Sequence, residues 1–359
     1  MKIIQVIPTF GIGGAETMCE NLSYELIKME HRVTVISLYN FHSSITERME
    51  NAGIDIIYLD KKPGMDISMI IKLKKIFRKI QPDVIHTHLD CIKYAVFAAK
   101  LANVKRCVHT VHNVAAKEAD GLARMINNFY YKHHWAVPVA LSPIIQKTIQ
   151  NVYGITLNKI PVIYNGIDLS RCIPKKDYSI GDKIILLHIG RFSEQKNHKG
   201  LLEAFQKIHS EYPMCILQLI GSGEKETEIR GYIESMGLSK YVQMLGEQSN
   251  VFTFLHDADI FLLPSNYEGM PMTIIEAMGT GVPIVATLVG GISDMLTDGI
   301  NANLIKCDAE LIYKACKKLI DDMELRKKYG KSALDESKKF SAYFMAEQYC
   351  AIYGDADDN

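Results

Sequence analysis

"KIIQVIPTFGIGGAE" (residues 2–16) and "KIILLHIGRF" (residues 183–192) share one design: a lysine, an apolar run rich in β-branched residues, then a turn containing glycine. Each reads as a strand that runs into a turn, the opening of an α/β unit. After the first, "HRVTVISL", "DVIHTHL" and "KRCVHTVHN" read as further strands, and "PVALSP" and "PVIYNGID" close the set. Helical patterns separate them: residues 15–29, with Ala15, Met18, Leu22, Leu26 and Met29 on one side, then "MDISMIIKLKKIFRKI" and "IKYAVFAAKLA". The polar stretch "RCIPKKDYSIGDK", with Pro174 and Gly181, reads as a connector. Beyond it the alternation restarts, with strands at "CILQLIGSG", "YVQMLG", "DIFLLPS", "PIVAT" and "NLIKC". Short strands alternating with helices predict parallel sheets covered on both faces. The chain therefore reads as α/β, with two doubly wound, Rossmann-like domains at residues 1–170 and 171–340. "FSAYFMAEQYCAIY" (340–353) reads as a final helix. Ligands of such sheets bind outside the carboxyl ends of the strands, and two facing domains would share one cleft.

A chain of 359 residues is long enough for two such domains. Apolar residues make up 48% and charged residues 23%, the balance of an ordinary globular protein. No run approaches the eighteen or so apolar residues that a membrane helix needs, and the N-terminal apolar stretch is too short for a signal peptide. Eight cysteines, none in a C-x-x-C pair, suit a reducing compartment, so a cytoplasmic location is expected. The net charge of zero hides an asymmetry. Residues 1–170 hold 20 Lys+Arg against 14 Asp+Glu, and residues 171–359 hold 21 against 27. A basic first half points to an anionic partner or surface on that side only.

The glycine turn at 8–16, "PTFGIGGAE", excludes two common uses. A dinucleotide fingerprint needs a third glycine where Glu16 stands, and an acid at the end of the second strand, where the chain reads "ISLYN". A triphosphate loop needs a Gly-Lys-Ser/Thr that is absent. What remains is a tight strand–helix turn, or backbone N–H groups near Gly13 and Gly14 that approach an anion or a sugar.

The second half carries more. Arg191 and Lys196 stand five residues apart directly after a strand and can reach one phosphate pair, the guanidinium through two parallel hydrogen bonds and the ammonium as a point charge. In "PSNYEGMPMTIIEAMGTGVPIVAT", Glu268 lies in the loop after a strand and a helix starts near Pro271. Free N–H groups around Met272 and Thr273, with the helix dipole, favour a diphosphate there. Carboxylates beside a diphosphate make sense when they accept hydrogen bonds from hydroxyls. A nucleotide-sugar supplies all three parts: ribose for one glutamate, diphosphate for the helix and cations, sugar for the other.

Arg191 with Lys196, and Glu268 with Glu276 in an E-x7-E spacing, resemble the retaining GT-B glycosyltransferases of family four. "GGAE" (13–16), "TVHN" (110–113), "NGID" (165–168) and "GSGE" (221–224) match at the family's expected places. The likeness covers essentially the whole chain and is greatest to members that build bacterial capsule and exopolysaccharide. It implies that Arg191 and Lys196 stabilise charge on the departing nucleotide diphosphate. It also implies that Glu276 holds the ribose hydroxyls, that Glu268 holds the donor sugar, and that the base sits near "LGEQSN" (245–250). Gly13 and Gly14 would pack on diphosphate and sugar, and His112 would meet a sugar hydroxyl. Arg191, Lys196, Glu268 and His112 form the implied catalytic set. Glu276, Gly13, Gly14, Gly269, Met270, Met272, Thr273, Gly221 and Asn165 form the implied donor set. The family often has an aspartate after that histidine; here it is Asn113, so no acid is assigned.

The first domain would bind a glycan or polyprenyl-linked acceptor and the second a nucleotide-sugar, UDP being the usual nucleotide. The final helix would pack back on the first domain. Transfer would proceed with retention and without a metal or other cofactor, and no nucleic acid is involved. A nonhydrolysing sugar-nucleotide epimerase shares the fold but is not expected to combine Arg191/Lys196 with E-x7-E. A noncatalytic sugar-binding protein would be expected to have lost its phosphate residues. Asp257 and Asp259 have a metal-like spacing but precede a strand, where a helix end is the plainer reading. Asp355 and Asp357 lie in a polar tail. His86 and His88 point to one face of a strand as core or cleft-lining residues. Residues 69–80 pair an apolar stripe (Met69, Ile70, Leu73, Ile76, Phe77, Ile80) with Lys72, Lys74, Lys75, Arg78 and Lys79. They either cover the sheet or meet anionic lipid at the membrane face. The aromatic-rich segment 117–135 is a candidate acceptor contact.

Overall fold

The computed structural model describes residues 1–11 and 13–354. Asp355 and Asp357 lie outside the described residues. Two compact units divide the chain: Met1–Gly166 together with the chain from Ala342, and Ile167–Ser341.

In the first unit the strands are β1 (Lys2–Ile7), β2 (Arg32–Ser37), β3 (Asp55–Tyr58), β4 (Val84–His88), β5 (Arg106–Val111) and β6 (Val137–Ala140). Helices α1 (Gly14–Lys28), α2 (Ser44–Asn51), α3 (Ser68–Ile80) and α4 (Ile92–Leu101) connect the earlier strands. The later part holds α5 (Ala115–Glu118), α6 (Gly121–Lys132) and α7 (Pro143–Tyr153). All strand pairs are parallel, in the order β3-β2-β1-β4-β5-β6. Strand order reverses between β1 and β4, the place where such sheets open a crevice.

The second unit repeats the plan with β7 (Ile184–Ile189), β8 (Cys215–Ile220), β9 (Val242–Gly246), β10 (Ile260–Leu263), β11 (Ile284–Thr287) and β12 (Asn303–Ile305). Its helices are α8 (His198–Glu211), α9 (Glu226–Ser235), α10 (Phe252–Asp257), α11 (Met272–Thr280), α12 (Ala309–Asp321) and α13 (Met323–Ser337). The order β12-β11-β10-β7-β8-β9 places its reversal between β7 and β10. Both units are Rossmann-like, as the alternation predicts.

Helix α14 (Ala342–Gly354) belongs to the first unit and lies against α1. Its Met345 Sδ accepts from Gly166 N at 3.2 Å, and its Tyr349 and Tyr353 are buried. With α14 on one side, α1 buries Glu20, Asn21, Ser23 and Glu25 besides its apolar stripe, more than a one-faced helix would. Buried Glu20 takes a two-pronged hydrogen bond from Arg48, at 2.7 and 2.9 Å.

One sequence expectation is corrected, two elements lack a sequence signal, and one open alternative is decided for the stripe of α3. "PVIYNGID" is not a strand: Ala140 N and Ile163 N bond across to form one bridge, and the chain then leaves to pair Ile167 with Ser341. β3 and α2 went unread, β3 because a short edge strand of intermediate burial leaves little apolar alternation. In α3, Met69, Leu73 and Phe77 are fully buried and Ile70, Ile76 and Ile80 pack on the same core, so the apolar stripe covers the sheet. The side of α3 that faces solvent carries Lys72, Lys75, Arg78 and Lys79, together with exposed Ile71.

Candidate functional site

β7 and β10 are neighbours at the reversal of the second sheet, so the loops at their carboxyl ends meet although they are far apart in sequence. After β7, Arg191 leaves the sheet and a 3-10 turn, Glu194–Lys196, follows. After β10 the loop Pro264–Pro271 carries Glu268. Asn266 stitches the two together: its N–H donates to Gln195 O at 2.8 Å and its side chain to Glu194 O at 2.7 Å.

Within this frame Lys196 Nζ donates to Glu268 Oε1 at 2.6 Å. Glu268 is 3% exposed, and Ser265 Oγ and Gln195 Nε2 also donate to it, at 2.5 and 3.1 Å. Four oxygen lone-pair sites thus meet three donors, which holds the carboxylate in one orientation. Lys196 lies across Gly190, where any Cβ would stand 3.1 Å from its Cε. Behind it His188 Nδ1 donates to Leu262 O at 2.9 Å. Burial pushes His188 well below the ordinary histidine range, and His198 down to about 4. The nearby Lys196 charge acts in the same direction on both. Gly290 presses on the Glu268 loop with φ +54, and a Cβ there would stand 1.8 Å from Glu268 O, so glycine is required.

Arg191 is not part of this buried cluster. Its side chain is 71% exposed and its Nε donates to Glu224 at 3.2 Å. Gly221, with φ +136, lets the end of β8 press against the Gly190 carbonyl. Gly269, Met270 and Met272 are buried in the approach to α11, whose N-cap is Pro271. Thr273 Oγ1 is buried with no hydrogen-bond partner among the described residues. Glu276 sits in α11, 8% exposed. In the connector, Cys172 is pushed up to about 12 by burial and by the charge of Glu276.

The first-unit residues stand as follows. Gly13 caps α1 and Gly14 opens it, with the Glu16 carboxylate folded so close that a Cβ on Gly13 would meet it at 2.5 Å. His112 follows β5, and its Nε2 lies 3.0 Å from His88 Nδ1. Asn165 is buried in the segment that leaves the unit. Asn113 N donates to Glu118 at 2.8 Å.

The histidines His86 and His88 share a face as expected, their rings 4.3 Å apart. His86 bonds to Tyr353 and Thr110, not to a third metal-type ligand. Asp259 accepts from Ile185 N at 2.8 Å, and Asp257 ends α10, so both have structural places. Among the described residues no three His, Cys, Asp or Glu gather as a metal-holding group, and no helix is long and apolar enough to cross a membrane.

In the segment 117–135, α6 leaves Leu122, Met125 and Phe129 exposed. Phe129 and Phe97 of α4 both meet the Trp135 ring, at centroid distances of 5.2 and 6.3 Å, and Lys100 Nζ lies 5.4 Å from that ring. Sequence reading missed Ser265, Gln195, Gln5 and the histidine His198. Gln5, a lone amide inside the apolar run "KIIQVIP", is the one with a visible signal.

Comparisons with known proteins agree with this arrangement. Residues 12–171 match the family model "Glycosyltransferase Family 4", and residues 173–335 match "Glycosyl transferases group 1". An Escherichia coli protein named UDP-Gal:alpha-D-GlcNAc-diphosphoundecaprenol alpha-1,3-galactosyltransferase is 28% identical over 72% of this chain and 72% of its own. The Staphylococcus aureus capsular polysaccharide biosynthesis glycosyltransferase CapH is 24% identical over 98% of each. The crystal structure of Anabaena HepE with UDP and glucose superposes with a TM-score of 0.85 at 19% identity, covering 98% of each chain. The chain is a glycosyltransferase of GT-B fold and belongs to family four.

Proposed function

We propose that this glycosyltransferase moves a sugar from a uridine-diphosphate donor to a lipid-linked or growing glycan in capsule or exopolysaccharide synthesis, with retention at the anomeric carbon. The observation that carries the reading is the Lys196–Glu268 pair at the strand-order reversal of the second sheet, beside the start of α11. Cation, oriented carboxylate and helix N-terminus are the three features that a diphosphate bonded to a sugar needs. The Escherichia coli relative's donor is a UDP-sugar and its acceptor a diphosphoundecaprenol, by its name, and the HepE structure contains UDP and glucose.

In the proposed reaction the bond from the anomeric carbon to the diphosphate oxygen breaks. The acceptor hydroxyl oxygen bonds to that carbon on the same face, and its proton leaves with the diphosphate. Lys196, exposed Arg191 and the free N–H groups at the start of α11 stabilise the growing negative charge. Charge met by fixed cations and dipoles requires no divalent ion, so activity should survive chelation. Glu276 holds the ribose and Glu268 the donor sugar. An epimerase of the same fold would bind the same donor but transfer nothing to an acceptor.

The acceptor would be reached from a membrane face. The apolar stripe of α3 is occupied by the core, so the candidate surface shifts to Phe97, Leu122, Met125 and Phe129 around Trp135, with Lys100 beside them. Exposed apolar side chains with a cation beside them fit an anionic bilayer surface.

The test is thermal stabilisation by UDP, GDP, ADP and their sugars, with and without a chelator. A metal-independent shift with UDP, abolished in Glu276→Ala, supports the reading. No shift with any nucleotide overturns it.

A further inference from the structure

At the strand-order reversal of the first sheet a polar chain crosses the core. Gln5, at the middle of β1, is fully buried. Its Nε2 donates to Ser23 Oγ at 2.6 Å and to Cys19 O at 3.3 Å. Ser23 Oγ gives its single proton to the same Cys19 carbonyl, at 2.8 Å. The hydroxyl can therefore only accept from Gln5, which fixes the amide with its nitrogen toward α1 and its oxygen toward β4. That oxygen lies 2.9 Å from His88 Nε2. An amide oxygen has no proton, so His88 Nε2 must carry one. A neutral His88 then has a bare Nδ1, and this atom faces His112 Nε2 at 3.0 Å. The proton in that bond belongs to His112 Nε2. The remaining nitrogen of His112, Nδ1, is left bare, with no hydrogen-bond partner among the described residues.

Both rings are held neutral. Burial first, and the neighbouring histidines second, push His88 well below its ordinary range and His112 down to about 3. Among the described residues no carboxylate bonds to either ring, which would oppose this; Glu118 pairs instead with His109, at 3.4 Å.

We propose that Gln5 and His88 are positioning residues that lock His112 in its Nε2–H tautomer, so that His112 meets substrate only as a hydrogen-bond acceptor for a hydroxyl. An acceptor rejects phosphate oxygens and carbonyls, which have no proton to give, and selects a sugar hydroxyl. It also cannot act as a proton donor to the leaving group. The substrate half of this inference rests on the glycosyl-transfer reading; the tautomer half does not.

The experiment is long-range 1H–15N correlation on ring-labelled histidine in the full-length, ligand-free protein, whose coupling pattern separates Nε2–H, Nδ1–H and doubly protonated rings. Signals of the two rings are assigned by their disappearance in His88→Gln and His112→Gln. Both rings should read as Nε2–H from pH 6 to pH 8. An Nδ1–H or doubly protonated His112 overturns the lock. In Gln5→Met, which keeps the volume and removes the acceptor, a fraction of both rings should shift to Nδ1–H; unchanged tautomers would show that Gln5 does not position them. If that variant fails to fold, the wild-type spectrum still decides. UDP-glucose and UDP-N-acetylglucosamine are then added as probes. A shift of His112 Nδ1 with either supports the hydroxyl assignment. A correct tautomer with an unmoved Nδ1 overturns that assignment alone, while absent binding of any nucleotide is the separate failure of the functional reading.

Discussion

Lys196 Nζ and Glu268 Oε1 stand 2.6 Å apart with side chains only 13% and 4% exposed, joining two loops 72 residues apart in sequence. In the ligand-free enzyme the pair neutralises itself. In the proposed reaction a diphosphate would offer Lys196 a second anion, while Ser265 and Gln195 would keep the Glu268 carboxylate in place for a sugar hydroxyl. Removing Lys196 alone leaves a buried carboxylate without its cation, a loss on the order of 3 kcal/mol. Lys196→Met should show that loss in chemical denaturation and reduce transfer about 100- to 1000-fold. Lys196→Met combined with Glu268→Gln should regain most of the stability and none of the activity. A double variant as unstable as the single one would mean that the loss does not come from the unpaired Glu268 carboxylate.

Arg191 should behave differently. It is largely exposed and its partner Glu224 is exposed too, so the ion pair contributes little to folding. Arg191→Ala should melt like the wild type and still lose about 100-fold or more in rate. Near-normal turnover would remove Arg191 from the site.

These two cations were equally visible as residues after one strand, yet nothing local distinguishes the buried one from the exposed one. Sequence spacing carries loop and helix-start information, and on that basis Glu268, Pro271 and Glu276 were legible. The Ser265 and Gln195 clamp was not, because it depends on β10 lying beside β7. Gln5 and His88 are 83 residues apart and meet only through the pairing of β1 with β4. The stripe on α3 shows a different limit: a face turned to a sheet and a face turned to lipid have the same period. The embedding of Tyr349 and Tyr353 against Thr110 and His86 likewise exists only once α14 has returned.

Acid should destabilise the second unit through His198. Its folded value, about 4, lies below the ordinary 6.5, mainly through burial. The folded state therefore binds fewer protons than the unfolded chain between those values. Stability is fully present above about pH 6.5 and falls as pH drops, with a slope near 1.4 kcal/mol per pH unit for this one group, levelling below about pH 4. His198→Phe keeps the ring contacts with Phe192 and His188, which lie at 4.8 Å, and removes the titration. Its denaturation midpoint should therefore fall less steeply than that of the wild type between pH 6.5 and pH 4. Equal slopes would place the acid sensitivity elsewhere.

The surface around Trp135 makes the last prediction, and the burial of the apolar stripe of α3 sharpens it. If bilayer contact used only the basic side of α3, binding to vesicles containing phosphatidylglycerol would vanish in high salt, because exposed charges are screened beyond about 10 Å at 0.1 M. If Met125 and Phe129 enter the interface, each adds an apolar contribution on the order of 1–2 kcal/mol that salt does not weaken. Met125→Ser with Phe129→Ser should then lower vesicle affinity about tenfold or more at any salt, measured by co-flotation. Lys74/Lys75/Lys79→Glu should lower it only at low salt. Met125 is exposed, so Met125→Ser should melt as the wild type does; Phe129 also meets the Trp135 ring, so the vesicle binding of its serine variant is read below that variant's own melting transition. Binding unchanged in the serine variants would return the contact to α3, and no binding of the wild type to anionic vesicles would end the membrane assignment.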